Sequence, residues 1–331
     1  MIFLHEFGHF IAAKKFGVLV HEFSIGMGPK LFSKKGKETV YSLRLLPIGG
    51  YVKLEGENSL EEEKDLNNPR SFANLHPLKR IIILFAGAFM NVLLGFLLLT
   101  IININLGVTP SKVHSVPQEY IESGSVFKTG DEIIKLNNSR VNTYEDVSLY
   151  MSRYNKDEID VTLKRDGKIK KFEDYKLFKS EYGNVLGVSF AREKASPFKS
   201  AQFAIYDTGY IIKAVFYALG DLFTGKAPVE SLSGPVEIVS VVGDVASVKN
   251  EYTLLNILML FAMITINLGV FNLLPFPALD GGTIIFSLYE LITRKKVKNQ
   301  IIGYATAIGF ALLMLLALFV TAGDVVALFK K

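Results

Sequence analysis

Three uncharged apolar runs limit what this 331-residue chain can fold into. The first, 81–102, reads IIILFAGAFMNVLLGFLLLTII; the second spans 254–274 and the third 301–322. At about 1.5 Å of rise per residue the first is roughly 33 Å long, enough to cross a hydrocarbon core. Half of the residues are hydrophobic and the mean hydropathy is +0.30, which excludes disorder as the main state and points to an integral membrane protein. The chain has no cysteine, so disulfide frameworks, thiolate zinc sites and cysteine nucleophiles are excluded together. Its net charge of +5 is spread through loops and reads as membrane orientation, with a lipid bilayer as partner and no nucleic acid.

A fourth apolar run opens the chain: MIFLHEFGHFIAA, closed by Lys14 and Lys15. It is too short to cross alone and lacks the basic start of a signal peptide, so it reads as the second half of a spanning helix. Lys14 and Lys15 follow this helix, Lys79 and Arg80 precede the second, and Arg294, Lys295, Lys296 and Lys298 separate the third from the fourth. All these ends are cytoplasmic together only if the first helix runs from outside to inside, which places 107–195 outside.

Within the opening run stands His5-Glu6-Phe7-Gly8-His9, an HExxH pattern. Residues four apart share a helix face, so two imidazoles can bind one zinc ion while the glutamate beside the first reaches the attacking water as general base. Ionisable groups are expensive in lipid, and such residues inside an apolar helix mark function. A catalytic zinc takes three protein ligands and leaves a position open. Asp280 is the third-ligand candidate: it follows a spanning helix broken by Pro275 and Pro277, and Gly281 and Gly282 after it permit close backbone approach.

HEFGH at the start and Asn272-Leu-Leu-Pro-Phe-Pro-Ala-Leu-Asp280-Gly-Gly much later resemble the motif pair of the site-2 protease family of intramembrane zinc metalloproteases, the bacterial regulator-of-sigma-E branch in particular. The resemblance covers nearly the whole chain. It implies that His5, His9 and Asp280 bind Zn2+ and that Glu6 activates water. It also implies that Asn267, Asn272, Pro275 and Pro277 lie in a region that engages substrate. Its implied activity is regulated intramembrane proteolysis of single-span proteins, such as anti-sigma factors or remnant signal peptides, first trimmed by another protease. The implied location is a bacterial cell membrane, with the active site near the cytoplasmic side.

Between the first two helices, segments 38–45 and 50–54 carry β-branched and aromatic residues and are separated by Leu46-Pro47-Ile48-Gly49-Gly50, which predicts a small β-hairpin. The family implies that this loop dips into the membrane beside the site; Gly49 and Gly50 are therefore candidate substrate-binding residues, along with Asn91 on the second helix. Asn91 serves equally well as a packing residue. His21 is expected to be a surface or packing residue, and 58–70 an acidic, solvated linker. Beyond the second helix, Asp131–Leu136 and 159–164 read as strands with a helix at 143–154 between them. Phe127-Lys-Thr-Gly130-Asp131-Glu-Ile-Ile-Lys-Leu136-Asn137 resembles a PDZ-domain segment, implying one peptide-binding or size-filtering module outside the membrane. Residues 203–223 are apolar on one face and read as a membrane-surface helix.

The expected fold is a multi-pass α-helical membrane protein with an inserted extracytoplasmic PDZ-like (β-rich α/β) domain and a membrane-associated β-hairpin. Its parts are a partial first helix with HExxH (1–18), the hairpin loop and linker (19–77), the second helix (78–106), the PDZ-like domain (107–195), a surface helix and connector (196–250), the third helix with LDGG (251–285), and a cytoplasmic loop with the fourth helix (286–331). A peptide-binding scaffold would need no Glu6, and a transporter would be favoured by internal repeats, which are absent from the sequence.

Overall fold

The opening apolar run folds as helix α1 (Ile2–Lys15), and Lys14 and Lys15 in its last turn complement the negative end of the helix dipole. This computed structural model describes residues 1–57, 68–180, 183–228, 234–248 and 250–330. Most of the acidic 58–70 stretch therefore lies outside the described residues. The chain forms two compact units, one of Met1–Gly95 with Ala218–Lys331, the other of Phe96–Tyr217.

After α1 come strands β1 (Val20–Lys35) and β2 (Val40–Leu54), which pair antiparallel through 20–25 with 50–54 and 30–35 with 40–44, while 22–25 and 40–43 run in the same direction. Their register corrects the expected hairpin. Segments 40–44 and 50–54 do not pair with each other; both lie against the first half of β1, since Ile25 pairs with Gly50 on one side and with Leu43 on the other. The second half of β1 folds back, so that Lys30 pairs with Arg44 and Lys35 with Val40. The sheet thus runs 50–54, 20–25, 40–44, 30–35. Val20 and Phe23 are buried with Val52 and Leu54 against Ala12 and Ala13 of α1, which makes 20–25 the central segment, with both backbone edges satisfied. The mixed lettering of His21-Glu22-Phe23-Ser24 concealed it, because a strand packed against one helix needs only alternate apolar residues.

Glu22 ties this sheet together. Ser42 and Arg44 donate to its Oε1 at 2.5 and 2.9 Å, and Lys30 lies 3.2 Å away. Burial alone would raise its pKa, but hydrogen bonds from Ser42, Arg44, Lys30 and Tyr51 outweigh it and hold the carboxyl at about 2. An unfolded glutamate titrates near 4.3, so folding favours the charged form. Its contribution to stability is full above about pH 4.3 and is lost as pH falls toward 2. Hydrogen exchange of β1 and β2 amides should lose protection over that window in the parent chain, and Glu22→Gln should already show the weaker protection at pH 7. Equal protection of the two proteins at pH 7 would remove Glu22 from that role.

Helix α2 (Pro77–Leu106) crosses from the first unit into the second. The second unit continues with β3 (Val113–Ser115), α3 (Gln118–Glu122), β4 (Glu132–Leu136), β5 (Ser139–Arg140), α4 (Tyr144–Ser152), β6 (Glu158–Arg165), β7 (Lys168–Lys176), β8 (Phe178–Ser180), β9 (Gly183–Val185) and β10 (Ser189–Phe190). The main sheet has the order β5-β4-β6-β7. β6 alternates as a half-buried strand must: Ile159, Val161 and Leu163 are buried and their neighbours are not. Asp166 and Gly167, with φ of 50° and 77°, form the two-residue turn that returns the chain as β7. The Thr143 hydroxyl caps α4 by accepting from the Asp146 N–H at 3.2 Å.

Helix α5 (Pro197–Phe223) leads back to the first unit, followed by α6 (Pro235–Ser247), α7 (Thr253–Asn272), α8 (Asp280–Thr293) and α9 (Asn299–Lys330). Among the described residues three stretches are long and apolar enough to cross a membrane: Pro77–Leu106, Thr253–Asn272 and Gln300–Val326. α2 and α7 meet through small residues, with Gly95 against Ile266 and Gly269 against Ala88. The Asp324 carboxylate of α9 accepts from the backbone N–H groups of Gly234, Val236 and Glu237 at 3.1–3.3 Å, capping α6 and accounting for an acid in an apolar helix. α8 was not expected: 280–293 opens with two glycines, which masked its helical character.

Candidate metal centre

Helical spacing puts His5 and His9 on one face of α1, and both are buried. α2 lies against that face. The Ile83 carbonyl is 2.8 Å from His9 Nδ1, and a carbonyl only accepts, so Nδ1 carries the proton and Nε2 presents a lone pair. Gly87 makes the approach possible: a Cβ there would lie 2.3 Å from His9 Nε2 and 2.9 Å from His5 Cε1.

Asp280 arrives from the other end of the chain. α7 stops at Asn272, a turn containing Pro275 and Pro277 follows, and α8 begins at Asp280. Ala278, just before, has φ 82°, a left-handed conformation that only a tight turn imposes on a residue with a Cβ. Gly281 folds over the end of α7 so closely that a Cβ would sit 2.1 Å from the Leu274 oxygen. Farther along α8, the buried Glu290 carboxylate pairs with Arg80 of α2 and also accepts from the Val297 N–H at 3.0 Å. This pair tethers the distal part of the helix whose first residue is Asp280.

The result is a small triangle. His5 Nε2 and His9 Nε2 are 3.0 Å apart, and Asp280 Oδ2 lies 3.2 and 3.3 Å from them. Tetrahedral zinc with ligand bonds of about 2.0–2.1 Å spaces its ligand atoms by about 3.3 Å. Asp280 Oδ2 is buried and receives no hydrogen bond from the described residues. Lone pairs converging at this range repel one another unless a cation lies among them, so the donor set fits zinc. Among the described residues this is the one group of three or more His, Asp or Glu side chains so arranged.

Glu6 shares a cavity of about 520 Å3 with all three. Its carboxylate accepts from the Val52 N–H, and Gly50 packs against its stem. Tyr51, Val52, Lys53 and Leu54 line the same cavity, so the 50–54 segment runs along the site. Glu57 lines it as well. Sequence reasoning singled out neither Lys53 nor Glu57; the available signal was their place on, or just beyond, the strand facing α1.

The remaining candidates are distributed around this centre. Asn91 lies beside His5, with Nδ2 3.5 Å from Nδ1. Gly49, in β2 just before 50–54, packs on Met27. Asn267 is within α7 and its Oδ1 has no partner. Asn272 ends α7, Pro275 follows in the turn, and the Pro277 carbonyl meets Gly309 of α9. None of these six lines the cavity. His21 is exposed and pairs with Glu55, apart from the triangle.

Comparison with known proteins agrees with this chemistry. The model of peptidase family M50 matches residues 1–316. The chain belongs to that family. A Clostridium acetobutylicum protein provisionally named a zinc metalloprotease is 40% identical over 329 residues, covering 98% of this chain and 94% of the relative. A Fusobacterium nucleatum protein with a similar provisional name is 36% identical over 338 residues, covering 100% and 96%. Zinc metalloprotease RasP of Shouchella clausii is 30% identical over 410 residues, covering 100% and 97%. This M50 member is accordingly a zinc-dependent, membrane-embedded metallopeptidase of the site-2 protease family.

Proposed function

We propose that this peptidase cuts single-span membrane proteins, anti-sigma factors or remnant signal peptides among them, within or beside the transmembrane helix, after another protease has trimmed the substrate. The observation that carries the reading is the triangle of His5, His9 and Asp280 with Glu6 in the same cavity. These three residues hold the metal. When bound, zinc supplies a Lewis acid that polarises the scissile carbonyl and acidifies the attacking water. Glu6, oriented by the Val52 N–H, takes the proton of that water and returns it to the departing nitrogen.

A helical substrate shields its carbonyls, so the scissile segment must be extended. Segment 50–54 pairs with 20–25, and Tyr51, Val52, Lys53 and Leu54 line the cavity. The extended substrate segment lies along this strand, with its scissile carbonyl presented beside Glu6. Residues 107–195 form the PDZ-like domain on the extracytoplasmic side and exclude substrates that retain a folded external domain, while the centre lies toward the cytoplasm. Asn267, Asn272, Pro275 and Pro277 act on the substrate through the α7–α8 turn.

Glu6→Gln tests the reading. General-base loss typically removes about 10²–10⁴-fold of rate. Cleavage of a model single-span substrate in detergent should fall by that factor while zinc content stays at the parent level. Undiminished cleavage by the variant would overturn the assignment of Glu6.

A further inference from the structure

His9 has its tautomer fixed by a backbone carbonyl; among the described residues no carbonyl does the same for His5. Its Nε2 belongs to the triangle, so in a metal-binding neutral imidazole the proton sits on Nδ1. The atom facing Nδ1 is Asn91 Nδ2, at 3.5 Å. Both are then donors, and two donors do not bond. The other end of the same carboxamide, Oδ1, is buried with no partner among the described residues, on a residue that is 0% exposed. An orphaned buried acceptor beside a donor that lacks an acceptor is costly on both counts. The two ends of a carboxamide have nearly the same shape, so half a turn of the amide exchanges them without disturbing the packing. Oδ1 then accepts from His5 Nδ1–H.

We propose that Asn91 is a positioning residue for the metal ligand His5, fixing its tautomer and ring orientation through this hydrogen bond, and is not a substrate-binding residue. The inference rests on the reading of His5, His9 and Asp280 as the zinc ligands. Two features favour it over simple packing. Asn91 belongs to the same helix as Ile83, eight residues on, so α2 supplies the outer partners of both imidazoles. Its own backbone is held by a separate contact, the Thr265 hydroxyl donating to the Asn91 carbonyl at 3.4 Å, which leaves the side chain free for His5. Partners of this kind typically contribute 10–100-fold to metal affinity.

The test uses the full chain in detergent micelles, with Zn2+ affinity measured by competition against a chelating dye and Co2+ absorption as a probe of ligand geometry. Asn91→Leu keeps the volume and removes the acceptor. Asn91→Asp keeps the acceptor and removes the donor. Leu should weaken Zn2+ binding about 10–100-fold and change the Co2+ spectrum, while Asp should bind within a few-fold of the parent. A packing role alone would make Asp, a buried charge, at least as harmful as Leu, and that ranking would overturn the proposal. So would a substrate-binding outcome, in which Leu raises KM and leaves metal affinity unchanged. A parent chain that binds no Zn2+ would instead overturn the metal-site reading, and this inference with it.

Discussion

Gly87→Ala should empty the metal centre while leaving the protein folded. The added Cβ would stand 2.3 Å from His9 Nε2, 2.6 Å from His9 Cε1 and 2.9 Å from His5 Cε1. Ordinary contact is about 3.5–4.0 Å, so something must move. α2 cannot shift freely, because a neighbouring face of it is packed against α7 through Gly95 and Gly269. The imidazoles therefore rotate, and a rotation of about 1 Å at Nε2 destroys a triangle whose edges are 3.0–3.3 Å. Misplacement on that scale typically costs about 100-fold in rate. Zinc per chain should fall at least about tenfold at micromolar metal, and cleavage with it, with the thermal melt of the metal-free protein little changed. A Gly87→Ala protein that retains full zinc would show that α1 and α2 are farther apart than described here. Alanine is a better helix former than glycine by about 1 kcal/mol, so a loss of zinc could not be blamed on a weakened helix.

Arg80→Met should be the most destabilising single change in the membrane unit. Arg80 and Glu290 are both buried, 7% exposed each, and joined by an ion pair that bridges 210 residues of sequence. Removing one member strands the other charge in a dry site, which costs about 3–5 kcal/mol. Replacing both by apolar groups of similar volume removes the stranded charge, and such replacements are often neutral. Arg80→Met should therefore lower the melting temperature in detergent by roughly 10 °C, and Arg80→Met with Glu290→Met should recover most of the loss. The single variant should also lose zinc, because the pair tethers the helix that begins with Asp280. A single variant that melts with the parent would mean that water reaches the pair. Full stability combined with zinc loss would separate the positional role from the energetic one.

Much of this centre could be read directly from the chain. His5, Glu6 and His9 are four residues apart or less, so helix geometry alone placed them together once the apolar run was taken as a helix. Asp280 was found differently, as an acid out of place near a membrane and followed by two glycines. The spanning helices were legible because about 20 apolar residues in a row have few alternatives. The sheet was not. Segments 38–45 and 50–54 looked like partners because they are neighbours in sequence, but pairing depends on which edges are free, and 20–25 takes one edge of each. α8 was hidden by its glycines, which are there for contact with the end of α7. β7 could have been found from Asp166-Gly167, a turn whose positive φ values suit those residues.

The sequence by itself determined the membrane class and the two-histidine face of α1 and made Asp280 the candidate third ligand, because each follows from local periodicity or from the cost of a charge in lipid. Tertiary structure decided what no local rule reaches. It brought Asp280 to within 3.3 Å of both imidazoles across more than 270 residues of chain, aligned 50–54 along the cavity that Glu6 lines, and paired Arg80 with Glu290. The physical reason is that a metal site needs positions accurate to a few tenths of an ångström. Such accuracy comes from close-packed helices meeting at glycine, and side-chain packing between distant segments leaves no periodic trace in the sequence.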